Sequence, residues 1–357
     1  MRSRFDRSVV AGAGVAGLGL LLGAGAVAQR GHMRRISADP DHALLSAPPR
    51  GRSLSARSAD GTILHAERFG APDSPTIVLA HGWTETLSYW TYVIRQLSER
   101  GLGVIAYDLR GHGASEPARS GEYSLERFGE DVEAVLQGCV PDGRRVVLAG
   151  HSLGAMSIAA WAEHHEVGAR VCAAALLNTG VGDLIAEHLL VPVPAIAWAV
   201  KRTPVGRRCL CARVPLSRVS TPLSCGAIRY VAFGPTARTA QVAFYERMLV
   251  TCPPDVRSDV GLAMSEMALE HALPRLSVPT LVMAGARDRL TPPSHARRIA
   301  QALPDLTKLI VLPDTGHMGP LERPREVAEA LSALSLSLSA GVAPGTEAGA
   351  ASKLAAA

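Results

Sequence analysis

The chain has 357 residues, of which 47% are hydrophobic and 19% are charged. This composition supplies a large buried core and excludes an intrinsically disordered protein. The formal net charge is +5, but residues 1–35 hold six arginines and one aspartate, so the rest of the chain is balanced. A folded part without net basic charge argues against a nucleic-acid-binding surface.

The amino-terminal segment has the features of a membrane anchor or an export signal. Residues 9–28 contain no charge and no proline, and a run of 20 such residues is about the length that spans a bilayer as a helix. A cleaved signal has a shorter apolar region, although Ala26-Val27-Ala28 provides a cleavage-site pattern. The length favours an uncleaved single-pass anchor within residues 1–35. The flanking arginines are balanced, and the amino terminus favours a following domain outside the cytoplasm.

The next part of the chain alternates between strand and helix patterns. Residues 36–53 are rich in Pro, Ser, Arg and Asp and are predicted to form a tether, and a hairpin is predicted around Asp60-Gly61. The apolar strand patterns are TIVLAHG (76–82), GVIAYDLRGHG (103–113), RVVLAG (145–150), VCAAALLNTG (171–180), TLVMAG (280–285) and LIVLP (309–313). Helical patterns over 88–101, 125–137 and 155–165 separate them, and another follows the last strand. This alternation predicts a mostly parallel sheet with helices on both faces.

The alternation is interrupted once, over residues 181–275. Prolines, apolar helical patterns and four cysteines fill this stretch. It is predicted to be a helical cap or lid, inserted between core parts at 54–180 and 276–336. Export of the domain would favour one or two disulfides among these cysteines. Residues 337–357 are mostly Ser, Ala and Gly and are predicted to be a disordered tail.

The stretch VVLAGHSLGAM (146–156) carries the strongest chemical signal. A Gly-x-Ser-x-Gly pattern between a strand and a helix is typical of a nucleophile elbow, a strained turn that exposes the serine hydroxyl. Gly150 and Gly154 leave room for the strand and the helix to cross. The backbone N–H of Leu153 stands at the helix start, where a developing anion is favoured. The pattern therefore predicts Ser152 as a nucleophile.

A serine nucleophile needs a base, and the base needs an orienting carboxylate. Asp288 follows the strand pattern at 280–285, and His317 lies in a glycine-flanked loop after the next strand pattern. Both are expected at the carboxyl edge of the sheet, in the order Ser, Asp, His. Asp183, just past the preceding strand pattern, stays open as the alternative acid. Asp314 is predicted to be a turn residue.

With these residues in place, the chain resembles the α/β-hydrolase family, in the group of small bacterial esterases, lipases and cofactor-free perhydrolases. The resemblance covers roughly residues 54–336. It implies an α/β-hydrolase fold with a helical cap, and a catalytic triad of Ser152, Asp288 and His317. It also implies that the backbone N–H groups of Trp83 and Leu153 form the oxyanion hole. The DLRGHGAS segment matches a family motif that shapes the neighbouring loop.

The predicted function is hydrolysis of carboxylic esters through an acyl-enzyme. Serine at the elbow argues against epoxide hydrolases and haloalkane dehalogenases, which carry aspartate there. The apolar stretch at 189–200 and the membrane segment favour a lipid or medium-chain ester. No metal, nucleotide or flavin fingerprint is visible, so no cofactor is expected. A perhydrolase of the non-haem haloperoxidase type, a slow-turnover ligand-binding module and an inert anchored domain stay open as alternatives.

Overall fold

The sheet organises the molecule. The computed structural model describes residues 25–182, 184, 213 and 215–339. In these residues eight strands form one sheet: β1 (Arg52–Arg57), β2 (Ile63–Phe69), β3 (Thr76–Ala80), β4 (Gly103–Tyr107), β5 (Val146–His151), β6 (Val171–Leu177), β7 (Thr280–Gly285) and β8 (Leu306–Leu312). Their order is β1-β2-β4-β3-β5-β6-β7-β8. The β1–β2 and β2–β4 pairs are antiparallel, and the remaining pairs are parallel.

The helices are numbered in chain order, and the first two precede β1. They are α1 (25–38), α2 (His42–Ser46), α3 (Thr91–Glu99), α4 (Leu125–Cys139), α5 (Leu153–His164), α6 (Val167–Arg170), α7 (Pro222–Ala232), α8 (Thr239–Thr251), α9 (Pro254–Glu266), α10 (Pro293–Ala302), α11 (Gly319–Glu322) and α12 (Pro324–Ser339). Two 3-10 helices lie at Leu87–Trp90 and Glu270–Arg275. Helix α12 continues into the part of the chain that was predicted to be a disordered tail, and residues 340–357 lie outside the described residues.

Both faces of the sheet are covered, and the central strands β4, β5 and β7 are buried at every position. In β3, Val78 and Ala80 pack with α4 and α5 on one face, whereas Ile77 and Leu79 pack with α3 and α12 on the other. A strand that is buried on both faces cannot show an alternating polar pattern. The predicted architecture, a mostly parallel sheet with helices on both faces, is confirmed.

The connection from β6 to β7 contains all of the residues predicted to form the cap, 181–275. Its described part holds α7, α8, α9 and the second 3-10 helix. Cys225 and Cys252 in this connection are buried free thiols, so neither forms the disulfide that was expected. Residues 185–212 lie outside the described residues, and with them the apolar stretch at 189–200.

The chain that precedes the sheet packs against α7 and α8. The side-chain amide of Gln29 donates to the carbonyl oxygen of Ser220 at 2.6 Å, and His32 Nε2 lies 3.0 Å from the Ser220 hydroxyl. Leu45 of α2 is 2% exposed, and Arg247 donates to its carbonyl oxygen at 3.4 Å. The predicted tether therefore includes a helix that is packed against the fold.

The membrane anchor was expected over an uncharged run at residues 9–28. Most of that run lies outside the described residues, which begin at residue 25. Within the described residues, no helix has both the length and the hydropathy needed to cross a bilayer.

Candidate active site

Ser152 stands on a strained turn between β5 and α5. Its φ of 49° and ψ of −115° lie in a region that residues with a side chain rarely adopt. Two hydrogen bonds hold this conformation: the Ser152 N–H donates to the carbonyl oxygen of Leu177, and the Thr179 hydroxyl donates to the carbonyl oxygen of Ser152, both at 2.9 Å. The turn lies at the carboxyl end of β5, as the nucleophile-elbow pattern predicts.

Two glycines allow the turn to be this tight. A Cβ atom on Gly150 would collide with the backbone nitrogen of Ala155 at the start of α5. A Cβ atom on Gly154 would collide with the carbonyl oxygen of Ala80 at the end of β3. Both positions therefore exclude a side chain, because the obstructing atoms are backbone and cannot rotate away.

Asp288 and His317 are brought together from two loops that follow neighbouring strands. Asp288 lies in the loop after β7, His317 in the loop after β8, and His317 Nδ1 donates to Asp288 Oδ2 at 2.8 Å. Both residues are buried, with exposed fractions of 1% and 4%. A carboxylate on Nδ1 fixes the ring so that Nε2 is the nitrogen left for proton transfer.

The charges of the pair shift the pKa of each partner in opposite directions. Burial raises the pKa of Asp288, but the charge and hydrogen bond of His317, together with other donors, outweigh it and leave the pKa lowered. Burial lowers the pKa of His317, but the charge and hydrogen bond of Asp288 outweigh it and leave the pKa raised. The pair therefore stabilises an ionised Asp288 beside a more basic His317.

Two further residues hold Asp288 in place. The Asn178 side chain donates to Asp288 Oδ2 and to the carbonyl oxygen of Gly316, both at 3.1 Å. The Thr291 hydroxyl donates to Asp288 Oδ2 at 2.9 Å, and the Thr291 backbone N–H donates to Oδ1 at 2.9 Å. Sequence reasoning missed both residues. The available signal for Asn178 was a polar residue directly after the apolar run of β6.

The Ser152 turn and the His317 loop are in contact through His151, the residue before Ser152. The ring centroids of His151 and His317 lie 5.0 Å apart, and His151 Nε2 lies 2.9 Å from the carbonyl oxygen of His317. The loop of His317 is therefore in contact with the elbow. In the described part of the chain, the Ser152 hydroxyl makes no hydrogen bond. Such a bond often forms fully when substrate is bound.

The two other acidic candidates differ in what the structure describes. Asp183, the alternative acid, lies outside the described residues. Asp314 has a φ of 50° in the turn after β8, and its side chain is 52% exposed and faces Arg287 at 3.7 Å. The prediction of a turn residue at 314 is confirmed.

The backbone N–H groups of Trp83 and Leu153 have no acceptor among the described residues. On either side of Trp83, the Gly82 N–H donates to Glu85 Oε2 at 2.6 Å and the Thr84 N–H donates to His112 Nε2 at 3.2 Å. Neither the Trp83 N–H nor the Leu153 N–H donates a hydrogen bond to any residue that the structure describes. Leu153 is the first residue of α5, where the helix dipole favours an anion.

The DLRGHGAS segment (108–115) supports the loop after β3, which contains Trp83. Asp108 accepts hydrogen bonds from the backbone N–H groups of Leu87 at 2.7 Å and Ala114 at 2.9 Å. Arg110 is fully buried and donates twice to Asp131, at 2.6 and 2.7 Å. The segment thus joins the loop after β3 to α4.

The described residues contain no group of three or more His, Cys, Asp or Glu side chains that could hold a metal ion.

Comparison with known proteins identifies the family of the chain. The model of the alpha/beta hydrolase family matches residues 77–330. The chain is 28% identical to a protein of Variovorax paradoxus named as a carbamate hydrolase, over 71% of this chain and 89% of that protein. It is 26% identical to a non-heme haloperoxidase of Rhodococcus erythropolis, over 73% of this chain and 91% of that protein.

A solved structure shares the fold. It is a thermophilic esterase of Thermogutta terrifontis, with a TM-score of 0.62 and 23% identity over 79% of this chain and 96% of that chain. The family match spans most of the sheet, from β3 to β8, and includes the elbow and both loops of the Asp288–His317 pair. The chain belongs to the alpha/beta hydrolase family.

Proposed function

We propose that the protein is a serine hydrolase that cleaves carboxylic esters through an acyl-enzyme. In this proposal Ser152 is the nucleophile, His317 is the general base and acid, and Asp288 orients the imidazole. The observation that carries it is the buried Asp288–His317 hydrogen bond of 2.8 Å, at the sheet edge where Ser152 stands on its strained turn.

Acylation follows from the chemistry of these groups. His317 Nε2 takes the hydroxyl proton of Ser152 as the oxygen attacks the ester carbonyl, and the ionised Asp288 stabilises the imidazolium that forms. The Trp83 and Leu153 N–H groups donate to the oxyanion of the tetrahedral intermediate. One such donor commonly contributes ~10²–10³ in rate.

The second half of the reaction uses the same groups. His317 gives its proton to the leaving alcohol and then activates a water molecule, which attacks the acyl-enzyme carbonyl. The oxyanion forms again at the two backbone donors. Collapse of this second intermediate releases the acid and restores the Ser152 hydroxyl.

We further propose that the substrate is a lipid or medium-chain ester and that residues 181–275 form a cap over its acyl chain. The uncharged sequence at 189–200 supports an apolar acyl site. The contacts of α1 with Ser220, just before α7, and of α2 with α8 support a site close to the amino-terminal segment. An anchor over residues 9–28, with the domain outside the cytoplasm, would keep this site beside a membrane.

A cofactor-free perhydrolase is the second candidate, and the haloperoxidase relative favours it. The same triad would form the acyl-enzyme, and hydrogen peroxide would replace water as the attacking group. The two activities are distinguished by the product. Esterase action gives a carboxylic acid, whereas perhydrolase action gives a peracid that oxidises bromide.

The test is to label the full chain with a fluorophosphonate probe and to assay nitrophenyl esters of increasing chain length, beside Ser152→Ala. We expect labelling and ester cleavage in the wild type and loss of both in the variant, with unchanged circular dichroism. Equal ester cleavage by both proteins would refute the proposal. A folded wild type that resists the probe and turns over no ester would favour the binding module. Peracid formation with acetate and peroxide would favour the second candidate.

A further inference from the structure

Two buried histidines near the oxyanion loop have partners that suit a neutral ring. His81 Nδ1 donates to the carbonyl oxygen of Gly82 at 2.8 Å, and its Nε2 accepts from the Leu109 N–H at 3.0 Å. A neutral imidazole has one donor and one acceptor. Burial accordingly lowers the pKa of His81 well below its usual value.

His112 shows the same arrangement. Its Nδ1 donates to the carbonyl oxygen of Arg110 at 2.9 Å, and its Nε2 accepts from the Thr84 N–H at 3.2 Å. Burial lowers the pKa of His112 to about 4. Both rings are therefore fully hydrogen-bonded without a charge.

His151 differs, because one ring nitrogen faces a backbone carbonyl oxygen and the other faces a carboxyl oxygen. Nε2 lies 2.9 Å from the carbonyl oxygen of His317, and a carbonyl can only accept, so Nε2 carries a proton. Nδ1 lies 3.2 Å from Glu85 Oε2, which already accepts from the Gly82 N–H. The side chains of His151 and Glu85 are at most 1% exposed, so no bulk water can supply an alternative partner.

We propose that His151 is a doubly protonated imidazolium paired with an ionised Glu85, and that this pair positions the oxyanion loop and the His317 loop around Ser152. Two protons satisfy both acceptors of the ring, and a buried charge requires a hydrogen-bonded partner of opposite sign. The pair is neutral as a whole, so it does not oppose the proton that His317 takes up. The positioning role rests on the proposed hydrolase function, whereas the protonation state does not.

The pair has a contact with each loop of the candidate site. Glu85 Oε2 accepts from the Gly82 N–H at 2.6 Å and so fixes the His81–Gly82 peptide, which is the neighbour of the peptide that carries the Trp83 N–H. His151 is the residue before Ser152 and binds the carbonyl oxygen of His317. The ring of Tyr89 stacks on His151 with centroids 4.7 Å apart and closes the remaining face.

The protonation state is tested by NMR on the full chain labelled with ¹⁵N-histidine. We expect one ring in which both nitrogens carry a proton, and we expect this signal to vanish in His151→Gln. Glu85→Gln should leave the ring with a single proton, and Glu85→Asp should restore the second. A His151 ring with one proton in the wild type would mean that Glu85 holds the other, and would overturn the proposal.

The positioning role is tested by the kinetics of the same variants on a nitrophenyl ester. We expect Glu85→Gln to lower kcat by ~10-fold or more with little change in KM, because it loosens one oxyanion donor, and Glu85→Asp to recover part of the loss. His164→Gln, on an exposed side chain at the end of α5, is the matched control and should leave kcat unchanged. If the wild-type His151 ring is doubly protonated but Glu85→Gln has the kcat of the wild type, the positioning role is refuted. If the wild type itself hydrolyses no ester, that result would instead refute the hydrolase proposal.

Discussion

His317 and Asp288 are joined by a 2.8 Å hydrogen bond between two loops that are 29 positions apart in the chain. The loops follow β7 and β8, which are neighbours in the sheet and run parallel. Parallel strands end at the same edge, so groups that follow consecutive strands meet there without any special connection. The sheet therefore positions the pair before any substrate is bound.

If the proposed triad is correct, replacing its acid, Asp288, should disable its base, His317, without unfolding the protein. We expect Asp288→Asn to lower kcat by ~10³–10⁴-fold, because an amide on Nδ1 favours the wrong tautomer of His317. Ester hydrolysis and circular dichroism would be measured together. Asp314→Asn, on an exposed turn residue, is the control and should keep full activity. An active Asp288→Asn beside an inactive Asp183→Asn would show that the acid is Asp183.

The activity should rise with pH through the ionisation of His317. The proposed general base, His317, must be neutral to accept a proton, and its pKa is raised above the usual 6.5 because the charge and hydrogen bond of Asp288 outweigh the effect of burial. The acid limb of kcat/KM should therefore lie above pH 6.5, and it should move to lower pH in Asp288→Asn. A limb at the same pH in both proteins would contradict this account.

The same shift has a consequence for stability. The contribution of the ion pair through His317 is fully present below pH 6.5 and is lost as the pH rises through the raised pKa of His317.

Glu322 should make the protein less stable as the pH approaches neutrality. Burial raises its pKa to about 7, although the backbone N–H groups of Gly234 and Gly316 donate to its carboxyl oxygens at 2.8 and 2.9 Å. A raised pKa contributes stability that is present below the usual value of 4.5 and is lost as the pH rises through about 7. The Tm of Glu322→Gln should therefore fall less over this range than that of the wild type. Glu326→Gln, at an exposed position of α12, should follow the wild type, and parallel curves for all three proteins would be the contrary result.

Removing one partner of the buried Arg110–Asp131 pair should cost more than any surface charge. Asp131→Ala would leave Arg110 with Asp60 at 3.0 Å and without its two-point partner. We expect a loss of ~3 kcal/mol in the free energy of unfolding, measured in urea. Glu122→Ala, which breaks a pair with the partly exposed Arg127, should cost at most about 1 kcal/mol. Equal losses in the two variants would show that burial does not set the difference.

The strand pattern could be predicted because the central parallel strands are buried on both faces and consist mostly of apolar residues. The edge strand β8 was harder to predict from the sequence. β8 begins at Leu306, three residues before the predicted start, and Thr307 and Lys308 are exposed in it. An edge strand is covered on one side alone, so its polar residues hide it from a search for apolar runs.

The supporting residues of the candidate site could not be predicted from local sequence. Asn178 and Asp288 are 110 positions apart, and Glu85 and His151 are 66 positions apart. No pattern in one segment indicates a partner in another. The packing of residues 36–53 was missed for a related reason. Their polar composition suggested a tether, whereas Leu45 is buried by contacts with α8, which is distant in the chain.

The way that α1 and α2 lie on α7 and α8 affects which recombinant form represents the protein. A chain shortened to begin at residue 52 would retain the whole sheet and the Ser152 loop. It would also lose the partners of Ser220 and Arg247 and expose a helix surface that is covered in the full chain. Chain-length preferences measured on such a shortened form would describe a protein in which Ser220 and Arg247 have lost these contacts. Screening should therefore begin with a form that keeps residues 25–52.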